Sequence, residues 1–389
     1  MSRARLQKAA FAAAVTGTSA ALLLGGIVLG ERLALQRIRR MNERFGKNEV
    51  LGQLLAPGER AGVAACYLDP AAALAALDAI SWVPPATPTP FVGHAAAPGR
   101  SANATIGPHQ FRDARALGEK APGVYRIFLV GGSTAYGSGA PSDDRTIAGY
   151  LEALLAAWPG RERRTFEVIT AAYPGWASTH ELLWITQHVL RFEPDLVVAL
   201  SGNNDVFWGF MGEDVRWFHS YPDRHFLDQL DRARAGAGLD PYPAVLPDVR
   251  EAGVRPPVPP SVVAERLLQN ARRVNEVVED AGARYVFALQ PTLACSEKPL
   301  TPRERGLLPE ARGTPELGEH FRACYAELRR AIADHASAAM PLCDVSDAFD
   351  ACGADEEVFI DSCHVGDRGN LLIAQRLLSV VVELLGQNH

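Results

Sequence analysis

Ser133 lies in the glycine-rich run GGSTAYGSG at residues 131–139, and much later in the chain Asp361 and His364 occur together in DSCH. A serine hydroxyl is a weak nucleophile until a base takes its proton. An imidazole can be that base when a carboxylate fixes its tautomer and stabilises the imidazolium that forms. The D-x-x-H spacing brings the two groups within reach of each other. Singly, each motif has a plainer reading, as a turn for GGST and as an exposed pair before a helix for DSCH. A phosphate-cradling loop is the rival for residues 131–139, but the GxxxxGK[ST] pattern requires a lysine that the segment lacks. The G-x-S-x-G elbow is absent as well.

Two further motifs offer hydrogen-bond donors. Gly175 falls in AAYPGWAS and Asn204 in SGNNDVFWG. A backbone N–H at Gly175, the Asn204 carboxamide and the N–H of Ser133 are suited to an oxyanion, which forms when a nucleophile adds to a carbonyl. The plainer readings are a Pro-Gly turn and a polar loop capping a helix.

The elements that must position these residues are short apolar runs at residues 125–131, 165–171, 195–201 and 284–290, read as parallel strands buried on both faces. Helical patterns lie between them, which predicts an α/β domain. Ser178 and Glu181 in STHE are expected to form a capping box, and a last helix is expected over residues 368–385 with Asp367 as its N-cap. Ser133, Gly175 and Asn204 each follow a strand, where open parallel sheets present functional groups.

In that order and at those places, the motifs resemble the SGNH (GDSL-like) serine hydrolases. The resemblance covers residues 125–385 and implies Ser133 as nucleophile, His364 as base and Asp361 as its orienter, with Ser133, Gly175 and Asn204 forming the oxyanion hole. It also implies a three-layer α/β sandwich with a central, mostly parallel sheet, as in flavodoxin-like folds, and hydrolysis of esters through an acyl-serine. Removal or transfer of acyl groups on envelope glycans is a further implication, and a catalytically idle glycan-binding module is the alternative. The chain departs from the family at Gly132, where the GDS block has Asp. This variant is associated with membrane-anchored members. Activity is expected to rise with pH through about 6.5, the ordinary imidazole value. Tyr136, Trp176, Phe207 and Trp208 are read as pocket walls or core, and Trp217, Phe218 and Tyr221 as a satellite cluster.

The rest of the chain frames this domain. Its 389 residues are 48% hydrophobic and 22% charged, with a net charge of −6, so no basic excess favours nucleic acid. Residues 9–30 are uncharged and long enough to cross a bilayer, a membrane anchor rather than a cleaved signal peptide. Residues 1–8 form its flank, 31–120 a juxtamembrane and proline-rich connector, and 121–389 the hydrolase domain with an insertion at 208–260. The basic residues Arg32, Arg37, Arg39, Arg40, Arg44 and Lys47 after the span favour a cytoplasmic domain, whereas six cysteines favour export. The expectation adopted is an extracytoplasmic domain with at least one disulfide, Cys352 with Cys363 as first choice. The cysteine spacing suits no structural metal, and neither metal nor cofactor is expected.

Overall fold

The computed structural model describes residues 15–19, 21–34, 36, 58–115, 117–161, 164–240, 255–335 and 341–386. It divides into two units, Met1–Asn48 and Glu49–His389. In the first, Val15–Ala34 is an apolar helix long enough to cross a membrane, a description that a signal sequence also meets. Residues 9–14 and 20 of the expected span lie outside the described residues.

In the second unit, β1 (Ala86–Thr89) pairs antiparallel with β2 (Gly93–Ala96), and β3 (Gly99–Arg100) with β4 (Thr105–Ile106). The predicted apolar runs become β5 (Val124–Gly131), β6 (Thr165–Thr170), β7 (Leu196–Ser201) and β8 (Arg284–Leu289). A short β9 (Leu342–Asp344) completes a parallel sheet of five strands in the order β6-β5-β7-β8-β9. Ile127 to Val130 and Leu196 to Leu200 are almost wholly buried, which only helices on both faces can achieve.

Right-handed crossovers fix which helix covers which face. The chain steps one way from β5 to β6 and back across to β7, so helix Ile147–Ala157 covers one face and Ser178–Gln187 the other. Ile147–Ala157 packs with the last helix, Asp367–Gly386, while Pro260–Asp280 packs with Ser178–Gln187 and Pro315–His335. This is the expected three-layer sandwich. The connections leave β5 and β7 in opposite directions, which opens a crevice at their carboxyl ends.

Three local expectations change. Ser178 and Glu181 do not cap their helix: Ala177 is the N-cap, and its N–H donates to His180 Nδ1 at 3.2 Å. Asp367 begins the last helix but spends its carboxylate on Leu68 N and Arg145, at 2.7 Å each. All six cysteines are free thiols, so Cys352 and Cys363 are not joined. Burial pushes the Cys66, Cys295, Cys324 and Cys343 thiols up to about 12.

Residues 58–115, placed ahead of the hydrolase domain by the sequence, fold against it. Ile106 and Thr170 both bridge to Arg112, which links β4 to the outer strand β6. In the expected insertion, Tyr221–Gly236 is a helix, and residues 241–254 lie outside the described residues.

Candidate active site

Ser133 opens a single helical turn, Ser133–Tyr136, directly after β5. The turn is possible because Gly131 takes a φ of 151°, and a Cβ there would strike Leu200 O at 2.3 Å. Gly137 then closes the turn in the left-handed region, accepted by Ser133 O and Thr134 O. Arg112 braces the same turn from the preceding segment, donating to Tyr136 O at 3.1 Å and Gly137 O at 2.9 Å while its Nε bonds Asp143.

Asn204 opens toward the same corner from helix Asn203–Phe210, after β7. Its Nδ2 donates to Trp176 O at 2.6 Å, which joins it to the Gly175 turn. A Cβ on Gly132 would lie 2.2 Å from that Nδ2, so the carboxamide occupies the space that a side chain at position 132 would need. Gly175 itself has a φ of 88°, the left-handed conformation that favours glycine.

Ser133, Gly175 and Asn204 are each partly exposed, while the residues on both sides of each of them are buried. The three segments that follow β5, β6 and β7 thus each leave one residue partly exposed between buried neighbours.

The Asp361–His364 pair comes from the loop before the last helix. His364 Nδ1 and Asp361 Oδ2 are 2.6 Å apart, and Asp361 Oδ1 accepts the N–H groups of Cys363 at 2.9 Å and His364 at 2.8 Å. Burial works against the Asp361 charge, but His364 and these N–H donors outweigh it and hold the carboxyl far below its usual range. Burial likewise works against a charged His364, yet Asp361 raises the imidazole well above its ordinary value. With Nδ1 engaged, Nε2 is the nitrogen left for a substrate-side partner.

Bonds between neighbours tie the halves together. Thr134 Oγ1 donates to Cys363 O at 3.4 Å and accepts from Gln290 Nε2 at 3.2 Å. No hydrogen bond joins Ser133 Oγ to His364 among the described residues. Such contacts are commonly long before substrate arrives. Asp361, Cys363 and His364 also lie close enough to hold a metal ion, but the direct 2.6 Å contact commits Nδ1 and Oδ2 to each other.

The structure adds residues that their types alone did not single out. Asp205, fully buried, accepts Ser178 N at 3.0 Å and Ser178 Oγ at 2.5 Å, pinning the helix behind the Gly175 turn to the one bearing Asn204. Burial pushes it up to about 6. Glu304 Oε1 accepts Val358 N at 3.0 Å and Phe359 N at 3.2 Å, and Arg303 donates to Phe359 O and Ile360 O at 2.7 Å each. Together they hold the segment leading into Asp361. The adjacency of Asp205 to Asn204 in GNND was a usable signal; nothing near Arg303 and Glu304 in sequence points to residue 361.

Of the proposed pocket walls, Tyr136, Trp176 and Trp208 are core residues, 1 to 2% exposed. Phe218 packs on Trp208 in a small satellite cluster. A separate cavity of about 430 Å³ lies between the β1–β2 hairpin and the insertion, lined by Phe91, His180, Trp217 and Asp223 among others, and by none of the five site residues.

A family model described as the GDSL-like lipase/acylhydrolase family matches residues 129–372. Among solved structures, an acetyl xylan esterase is 15% identical with a TM-score of 0.38, over 66% of this chain and 99% of that one. A lipase/acylhydrolase from Enterococcus faecalis is 14% identical with a TM-score of 0.39, over 66% and 95%. A two-domain esterase active on acetylated mannans is 13% identical with a TM-score of 0.37, over 67% and 49%. No curated protein matches the chain.

Proposed function

The chain belongs to the GDSL-like lipase/acylhydrolase family, and we propose that it hydrolyses carboxylic esters through an acyl-serine intermediate on Ser133. His364 Nε2 takes the hydroxyl proton as Oγ bonds to the carbonyl carbon. The oxyanion is held by the N–H groups of Ser133 and Gly175 and by the Asn204 carboxamide. Collapse expels the alcohol, which leaves with the proton from His364, and water then repeats the sequence to release the acid.

The observation that carries this reading is the Asp361–His364 contact at 2.6 Å with Nδ1 engaged, the arrangement a serine-activating imidazole needs. The substrate class proposed is O-acyl, including O-acetyl, esters of envelope glycans or lipids. Transfer to a sugar hydroxyl would use the same acyl-enzyme. A fluorophosphonate probe should label Ser133 in the wild type, and an ester panel should show acetyl esters turning over faster than long-chain ones. Wild-type turnover by folded Ser133→Ala would end the serine mechanism.

For the apolar helix Val15–Ala34 the proposed role is a membrane anchor with the hydrolase domain outside the cytoplasm. The free cysteines give export no support, and the basic residues after the span argue against it. Alkaline phosphatase fused after His389 should nonetheless be active; a cytoplasmic reporter active there instead reverses the orientation.

A further inference from the structure

We propose that Trp82, carried by a segment that precedes the residues matched by the family model, is a positioning residue for His364; this rests on the acyl-serine reading above. The match to the family model begins at residue 129, so Trp82 lies on a segment outside it. The addition is folded, not merely attached: Cys66, Tyr67, Leu77, Ile80 and Trp82 form a buried cluster that also takes in Ile360, the neighbour of Asp361.

Trp82 touches both halves of the site. Its ring stands edge-on to the His364 ring, with centroids 6.3 Å apart at 78°. Its carbonyl accepts Ser138 Oγ at 2.6 Å, and Tyr67 donates to Gly139 O at 2.7 Å, both on the loop that closes the Ser133 turn. A Cβ on Gly139 would lie 2.7 Å from the indole, so glycine is what lets the ring lie against that loop.

The bond to Asp361 fixes His364 at one atom, and an imidazole held at one atom can still tilt about it. A 3% exposed ring against its side removes that freedom. The indole N–H has no hydrogen-bond partner among the described residues, so the contact acts by shape and not by a bond.

Full-length Trp82→Ala, Trp82→Leu and Trp82→Phe are compared with Leu77→Ala, which weakens the same cluster without touching His364. Each is measured for kcat, KM, fluorophosphonate labelling rate and thermal melt. Trp82→Ala and Trp82→Leu are expected to lower kcat and labelling rate about tenfold or more with KM changed less than twofold, a misplacement effect. Trp82→Phe should restore most of both, because the missing N–H bonds nothing. Leu77→Ala should lower the melting point with kcat within twofold of wild type. Should Trp82→Ala fail to fold, Trp82→Leu, which keeps apolar bulk, carries the same comparison. Wild-type kcat and labelling in a folded Trp82→Leu or Trp82→Ala overturn the inference and leave the serine reading standing. Absence of Ser133 labelling in the wild type overturns the reading, and the inference with it.

Discussion

The proposed nucleophile half of the site and the proposed acid–base half are built in different ways. Ser133, Gly175 and Asn204 follow β5, β6 and β7 within two to five residues, where the parallel ladder has fixed the direction in which the chain arrives. Asp361 and His364 stand on an irregular segment whose bridge, Phe359 with Val365, is isolated. A buried segment without a ladder must find partners for its N–H and C=O groups elsewhere. Here Glu304, Arg303, Thr292 and Cys66 supply them, from parts of the chain far away in sequence. Strand ends give a site its precision locally, whereas a loop borrows precision from distant side chains.

The largest effect should come from removing the groups that join the halves. Ser133→Ala is expected to abolish turnover and probe labelling, His364→Ala to be nearly as severe, and the double variant to be hardly worse than either, because the groups act as one unit. Additive losses in the double variant would mean that the halves work independently. Asp361→Asn comes next, with kcat lower by about 10⁴-fold, the size known for neutralising a serine triad's acid. Its pH profile gives the sign. Activity needs neutral His364, and Asp361 holds that imidazole well above its ordinary value, so the wild-type rise should lie above about 6.5. That corrects the expectation from an unperturbed imidazole. Asp361→Asn removes the raising charge, so its residual activity should rise at lower pH than the wild type's. A rise at unchanged pH would break the assignment of the dyad.

The difference between the halves also explains what could be read in the sequence. The apolar runs that became β5 to β8 are four of the five strands, legible because strands buried on both faces read as continuous hydrophobic stretches. The residues following them were legible for the same reason. β9 has three residues, too few to carry a pattern, and was missed. Asp361 and His364 were singled out as candidates through their spacing, but Arg303, Glu304 and Trp82 were not, because their partners at residues 359–364 are far off in sequence and no periodicity records such pairs. Proline hid the fold of residues 58–115: Pro88 reads as a stiff extended stretch, yet it lies in β1, paired with His94.

Within the nucleophile half, Asn204→Ala should lower kcat by about 10²–10³-fold, the loss of one oxyanion donor, with labelling slowed but present. Gly132→Ala sharpens the point. Its φ of −87° is negative, and the new Cβ would press on Asn204 Nδ2 at 2.2 Å. The two variants should show similar losses. A fully active Gly132→Ala would mean that Asn204 can move without cost and that its present position is not the working one.

The smallest effect on rate is expected where the effect on stability is greatest, in the clamp behind the acid–base loop. Glu304 and Lys298 are fully buried and 2.7 Å apart, and the other Glu304 oxygen holds Val358 N and Phe359 N. Glu304→Gln keeps an oxygen to accept those two N–H groups but leaves Lys298 as an uncompensated buried charge, which costs about 3–5 kcal/mol. At this chain length that lowers the melting point by roughly 4–6 °C. Turnover per folded molecule should change least of all the variants, because the backbone bonds that carry Asp361 survive. Adding Lys298→Met removes the stranded charge and should recover most of the lost stability. If Glu304→Gln instead lowers kcat as far as Asp361→Asn does while the protein stays folded, the charge itself, and not the hydrogen bonds, sets the geometry of the dyad. The borrowed precision of the loop would then be electrostatic in origin.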